Sequence, residues 1–130
     1  MLDTEGTSLS DELSKLPPNV QERLLRLQQL QQTLQSILAQ KQQVEMEKSE
    51  VEQTLAELAK TADDAVIYKA IGSLLVKSEK AKVDADLTER KDLLATRSTV
   101  IAKQEERIRS QVKETQTKLQ EDINPVTGQQ

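Results

Sequence analysis

Apolar residues recur at alternating spacings of three and four along two long stretches of this chain, and a short apolar segment separates the two. The first stretch predicts a helix over residues 19–60 with an unbroken heptad repeat. Its a positions are Val20, Leu27, Leu34, Lys41, Lys48 and Leu55, and its d positions are Arg23, Leu30, Ile37, Val44, Val51 and Leu58. Nine of these twelve residues are apolar, which favours a coiled-coil seam over an amphipathic helix on a globular body.

The boundaries of the two helices are predicted from capping signals. Asn19 and Glu22 have the spacing of a capping box after Pro17 and Pro18, so Asn19 is the predicted N-cap of the first helix. The second helix is predicted over residues 84–122, with Asp84 as its N-cap after a charged connection. Its repeat is weaker and consists of Leu87, Leu94, Ile101 and Ile108, continued by Val112 and Leu119.

The apolar segment between the helices, residues 65–77, predicts a β-hairpin that turns at Gly72 and Ser73. In that register Ile71 faces Leu74, Ala70 faces Leu75, Lys69 faces Val76 and Tyr68 faces Lys77. One face of the hairpin then carries Ile67, Ile71, Leu74 and Val76, and the other carries Val66, Tyr68, Ala70 and Leu75. One pair of helices can cover only one of these faces, so we expect other copies of the sheet to complete the structure.

The predicted fold class is therefore mainly α: a long antiparallel two-helix coiled coil with a central β-hairpin. We expect one domain over residues 16–123, a mobile N-terminal tail over residues 1–15 and a C-terminal tail over residues 124–130. Helices of nearly equal length predict a pairing in which Arg23 lies opposite Leu119, and polar residues in several layers predict fraying near the termini.

Composition excludes several classes of function. The 130 residues include no Cys and no His, and aromatic residues make up only 1%, which excludes disulfides, the usual zinc sites and His-based catalysis. We expect no enzyme activity, no cofactor and no metal site. No basic stripe with aromatic residues points to nucleic acid, and no segment resembles a signal peptide or a membrane span, which predicts a cytoplasmic protein.

Several segments together resemble the β-type subunit of prefoldin over about residues 16–122. They are the hairpin Val66–Lys77, the opening Pro18–Gln21, the glutamine-rich first helix, Ala62–Asp64 and Lys103–Ile108. The resemblance implies a hexamer of two α-type and four β-type subunits, whose hairpins assemble into a double β-barrel from which six coiled coils extend. It also implies ATP-independent binding of unfolded polypeptides at the coiled-coil tips, and their delivery to a group II chaperonin in an archaeal cytosol.

Two sets of candidate site residues follow. The eight apolar hairpin residues named above form the expected subunit interface, and the expected client-binding tip consists of Leu16, Val20, Leu24, Leu27, Val112, Leu119 and Ile123. These tip residues are too many for one seam, so some apolar area should be exposed there. The competing hypothesis is a passive coiled-coil scaffold or tether, which would not hold a denatured protein in solution.

Overall fold

The computed structural model describes residues 14–124. It contains helix α1 (Pro18–Ala59), strands β1 (Ile67–Ile71) and β2 (Leu74–Ser78), and helix α2 (Lys80–Ile123). Two long helices joined by an antiparallel two-stranded sheet confirm the predicted fold class. Most of both predicted tails lies outside the described residues, but Ser14 and Lys15, assigned to the N-terminal tail, are helical.

Both helices begin earlier than predicted, α1 by one residue and α2 by four. α1 begins at Pro18, and the Pro17 carbonyl accepts hydrogen bonds from the backbone N–H groups of Val20 (3.0 Å) and Gln21 (3.1 Å). Proline at the first helical position has a suitable φ and needs no N–H partner, so the helix starts before the predicted cap Asn19.

α2 begins at Lys80 instead of Asp84, because tertiary contacts hold its first residue. The Lys80 ammonium donates to the Thr61 carbonyl at 2.7 Å and to the Asp63 carboxylate at 3.2 Å. The backbone N–H of Val83 donates to the Glu79 carbonyl at 3.0 Å, which places Glu79 at the helix cap. Asp84 lies inside the helix.

The predicted seam is confirmed by the burial pattern. Every apolar d residue of α1 is buried, namely Leu30, Ile37, Val44, Val51 and Leu58, whereas the a residues from Leu27 to Leu55 are only partly buried. In α2 the buried residues Leu94, Ile101 and Ile108 are spaced by seven. No polar residue is buried within residues 14–124, so the core of this part of the chain consists of apolar side chains alone.

The chain divides into two compact units. The terminal unit contains residues 14–37 and 104–124 of the described chain, and the hairpin unit contains residues 38–103. In the terminal unit α1 and α2 lie antiparallel, because Arg23 near the start of α1 contacts Lys118 and Asp122 near the end of α2. In the hairpin unit the contact of Lys80 with Thr61 likewise joins the start of α2 to the end of α1.

The β-hairpin has the predicted register, which pairs Ile71 with Leu74 and continues to Ile67 and Ser78. Gly72 has a φ of 59°, and Ser73 does not share this left-handed conformation. A positive φ at the first central residue alone is the pattern of a type II′ turn, which matches the twist of the two strands. Glycine is required here because other residues adopt this φ only with strain.

Candidate interaction surfaces

Both faces of the hairpin expose large apolar side chains. Ile71, Leu74 and Val76 on one face have 54%, 66% and 44% of their surface exposed, and on the other face the values are 58% for Val66, 61% for Tyr68 and 72% for Leu75. Ala70 is also exposed and Ile67 is partly buried. A contiguous apolar surface of this kind is typical of an interaction site rather than of the free surface of a monomer.

The hairpin is tied to the helices on the β1 side. The Lys69 ammonium lies 3.7 Å from the Asp86 carboxylate of α2. A cavity of about 420 Å³ lies between β1 and the two helices. It is lined by Thr54 of α1, by Tyr68, Lys69 and Ala70 of β1, and by Val83, Asp86, Leu87 and Arg90 of α2. The lysine that interrupts one apolar face therefore has a partner within the chain.

The seven predicted tip residues do not share one environment. Val20 is the most buried, with 2% exposure, whereas Ile123 is 55% exposed. The other five are partly buried: Leu16, Leu24, Leu27, Val112 and Leu119. The terminal unit thus has one open apolar end at Ile123, and most of its remaining apolar residues lie in or beside the seam.

Sequence reasoning missed Leu25, which is 57% exposed in the terminal unit. The signal was the pair Leu24 and Leu25, because adjacent residues on a helix point about 100° apart and only one of them can border the seam. It also missed the partner of Arg23, which forms an ion pair with Asp122.

Polar groups fasten the entry to α1. The Gln21 side-chain amide donates to the Leu16 carbonyl at 2.7 Å and to the Ser14 carbonyl at 3.1 Å. These bonds hold the segment that carries Leu16 against the first turns of the helix. Next to them, Arg23 and Arg26 of α1 line an open groove of about 330 Å³ with Gln111, Glu114, Thr115 and Lys118 of α2.

Within residues 14–124, no group of three or more acidic side chains is arranged to hold a metal ion. Over the same residues, neither long helix has a stretch apolar enough to cross a membrane.

Comparison with known proteins gives a family for this arrangement. The model of the prefoldin subunit family matches residues 21–125, which cover the hairpin, all of α2 and all but the first three residues of α1. The chain belongs to the prefoldin subunit family. Membership implies a chaperone-type role together with other prefoldin subunits.

The resemblance to β-type prefoldin subunits is confirmed by individual relatives. The prefoldin beta subunit of Archaeoglobus fulgidus is 43% identical over 116 residues, which cover 89% of this chain and 100% of that protein. That of Methanothrix thermoacetophila is 47% identical over 109 residues, covering 84% of this chain and 91% of the relative.

A solved structure agrees. The crystal structure of the prefoldin beta subunit from Thermococcus strain KS-1 superposes with a TM-score of 0.76 at 38% identity, covering 82% of this chain and 93% of that one. The beta2 subunit from the same strain, 22% identical with a TM-score of 0.63, shares the fold.

Proposed function

We propose that this chain is a subunit of a hexameric, ATP-independent holdase that binds non-native polypeptides and delivers them to a group II chaperonin. The observation that carries the proposal is a two-stranded sheet with exposed apolar residues on both faces, in a member of the prefoldin subunit family. A sheet of this size is marginal in water unless further strands or a packed face support it.

The partners in the hexamer are two α-type subunits and three further copies of the β type. The proposed interface consists of the apolar hairpin residues Val66, Ile67, Tyr68, Ala70, Ile71, Leu74, Leu75 and Val76. The exposure of six of them in the single chain supports this assignment, because closure of the hairpins into a barrel would pair the free strand edges as well as cover the faces.

Client binding is proposed for the terminal unit, on an apolar surface formed by Leu16, Val20, Leu24, Leu27, Val112, Leu119 and Ile123, to which the structure adds Leu25. Leu25 and Ile123 already expose apolar surface in the folded chain, and the partly buried residues would expose more when the terminal turns fray. Unfolded chains present apolar segments without a fixed sequence, which such a surface can bury at little geometric demand.

Several weak surfaces on one platform can hold a protein that one surface cannot. Linking binding sites raises the effective concentration for each further contact, so the combined affinity can exceed that of one site by about 10² to 10⁴. Assembly through the hairpins and capture through the terminal units are thus two parts of one proposed mechanism. It requires neither a nucleotide nor a metal ion, and we place it in the cytoplasm.

The deciding experiment removes residues 1–24 and 119–130 from the chain in its complex with α-type subunits. We expect the truncated complex to keep its hexameric mass in native mass spectrometry and to lose its protection of a denatured client from aggregation. Protection equal to that of the intact complex would mean that the removed residues, among them Leu16, Val20 and Leu119, do not hold the client, and would contradict the proposed terminal site. If the untruncated complex protects no client at all, the scaffold hypothesis would be favoured.

A nucleotide test examines the energy source. ATP with Mg²⁺ should leave aggregation suppression by the complex alone unchanged, because the sequence contains no glycine-rich loop of the kind that cradles phosphates. A change in suppression on addition of ATP, absent with the Mg²⁺ salt alone, would contradict ATP independence.

A further inference from the structure

The two helix termini that meet in the terminal unit lack the charges that their dipoles favour. The last turn of α2 contains the carboxylates Glu121 and Asp122 and no basic residue, and the first turn of α1 contains no acidic residue. Negative side chains at a helix C-terminus are unfavourable, because they lie next to the unpaired carbonyls of the last turn. The end of α2 therefore needs a cation from another element.

Arg23 of α1 supplies that cation. Its guanidinium forms an ion pair with the Asp122 carboxylate and donates a hydrogen bond to the Lys118 carbonyl at 3.0 Å. The two side chains remain 34% and 19% exposed. Both contacts join the second turn of α1 to the last two turns of α2, so one side chain fastens the end of the coiled coil.

The position of Arg23 in the repeat shows that this contact replaces an apolar one. Arg23 occupies a d position, and the five following d residues of α1 are apolar and buried. A leucine would continue the seam at this layer and hold the helices in all salt conditions. A partly exposed ion pair instead holds them with a strength that dissolved ions reduce.

We propose that Arg23 and Asp122 form an electrostatic latch, the terminal latch, that controls how often the end of the coiled coil opens. Val20 lies about one turn before Arg23 and is buried, and Leu119 lies about one turn before Asp122 and is partly buried. Opening of the latch exposes both residues. The ligand for the exposed surface is an apolar segment of a non-native polypeptide, and this consequence rests on the proposed function.

The dependence on ionic strength distinguishes stabilisation by the latch from stabilisation by the apolar seam. The Debye length falls from about 10 Å at 0.1 M salt to about 3 Å at 1 M, so salt weakens the partly exposed ion pair while apolar burial is not screened. An end held only by the seam would not loosen with salt. An end held by the latch should open more often as the salt concentration rises.

The test is amide hydrogen exchange of residues 117–123 in the full-length chain, at about 0.05 M and about 0.5 M sodium chloride. We expect exchange in the unaltered chain to be about two- to fivefold faster at the higher salt, the range that a surface ion pair supports. Arg23→Gln should exchange faster at low salt and lose most of the salt dependence. Arg23→Leu should exchange slowly at both concentrations.

The matched control is Arg26→Gln, one turn further along α1. Arg26 lines the same groove between α1 and α2 as Arg23 but has no ion pair among the described residues. This variant should therefore keep the salt dependence of the unaltered chain. Exchange that responds equally to both glutamine variants, or that ignores salt in the unaltered chain, would overturn the latch.

Aggregation suppression by the same variants separates the latch from the proposed client site. If Arg23→Gln opens the end and improves capture of a denatured client at low salt, both proposals are supported. If it changes exchange and leaves capture unaltered, the latch stands and the client site lies elsewhere. If capture changes while exchange does not, the latch is wrong whatever holds the client.

Discussion

The hairpin and the terminal unit expose apolar residues in different ways. Six large apolar side chains of the hairpin segment are at least 44% exposed, and they are spread over both faces of a two-stranded sheet. In the terminal unit the most exposed are Leu25 and Ile123, at 57% and 55%, while Val20 and Leu30 are buried. The hairpin cannot hide its surface by a local movement, whereas we expect the terminal unit to reveal more when its last turns fray.

This difference matches two kinds of contact. A surface that is always open calls for a lasting partner, because its exposure in water is unfavourable at all times. A surface that opens with the helix ends suits a transient ligand whose sequence varies. We infer that the same apolar residue types serve assembly in one unit and capture in the other because their exposure is controlled differently.

The largest expected effect comes from placing a charge in the hairpin. Leu74→Asp should dissociate the complex, since an unpaired carboxylate in a covered apolar face costs about 3 kcal/mol or more. Sedimentation velocity should show free subunits, while circular dichroism should show nearly unchanged helix content.

Leu93→Asp is the matched control, because Leu93 is 62% exposed on α2 and Leu74 is 66% exposed on the hairpin. If both variants sediment as the intact complex, the subunit interface does not involve this face of the hairpin. If both dissociate it, exposure alone does not identify the interface.

The next effect tests the apolar seam between the two helices of the hairpin unit. Leu58, at a d position, is 8% exposed, whereas Leu55, at the preceding a position, is only partly buried. Leu58→Ala should therefore lower the free energy of unfolding by about 2 to 4 kcal/mol, and Leu55→Ala by about half as much. Urea denaturation of the two variants measures the difference, and equal losses would mean that a and d layers carry equal weight.

The hairpin and the seam could be predicted from sequence because short-range rules determine them. A two-residue turn with Gly72 fixes which residues pair, and a repeat of seven fixes which side of each helix is buried. The predicted pairing of the helices near their termini also agrees closely with the structure. Arg23 was predicted to lie opposite Leu119, and it contacts Lys118 and Asp122 on either side of that residue.

The start of α2 was not predictable from capping residues alone, because residues distant in sequence hold its first residue. Lys80, which follows the hairpin, is held by Thr61 and Asp63, which precede it in the sequence. The start of α1 follows instead from a local rule, the preference for proline at the first helical position. The seam position of Arg23 was likewise visible, but its ion pair depends on where α2 ends. The exposure of Leu25 is not marked by the heptad repeat itself, since it depends on the angle of about 100° between adjacent residues of a helix.

A smaller effect is expected at the hairpin turn. Gly72 has a φ of 59°, and a Cβ added there would meet nothing within 4 Å, so Gly72→Ala should cost only the backbone strain of about 1 to 2 kcal/mol. Ser73→Ala is the control, since Ser73 has no left-handed φ. Thermal unfolding should show a lower melting temperature for the first variant alone, and equal shifts would argue against strain as the cause.

The smallest expected effect on stability, and the sharpest test of the comparison, is Leu25→Gln. Because Leu25 is 57% exposed on the surface of a helix and glutamine is a good helix former, the melting temperature should hardly change. Capture should still weaken, since a leucine side chain that a client covers in part contributes about 1 kcal/mol, or roughly fivefold, for each contact. The client concentration needed for half-protection from aggregation measures this change. Met46→Gln, at 53% exposure in the hairpin unit, provides the control. If both variants weaken capture equally, clients bind exposed apolar residues wherever they occur, and the assignment of capture to the terminal unit is wrong.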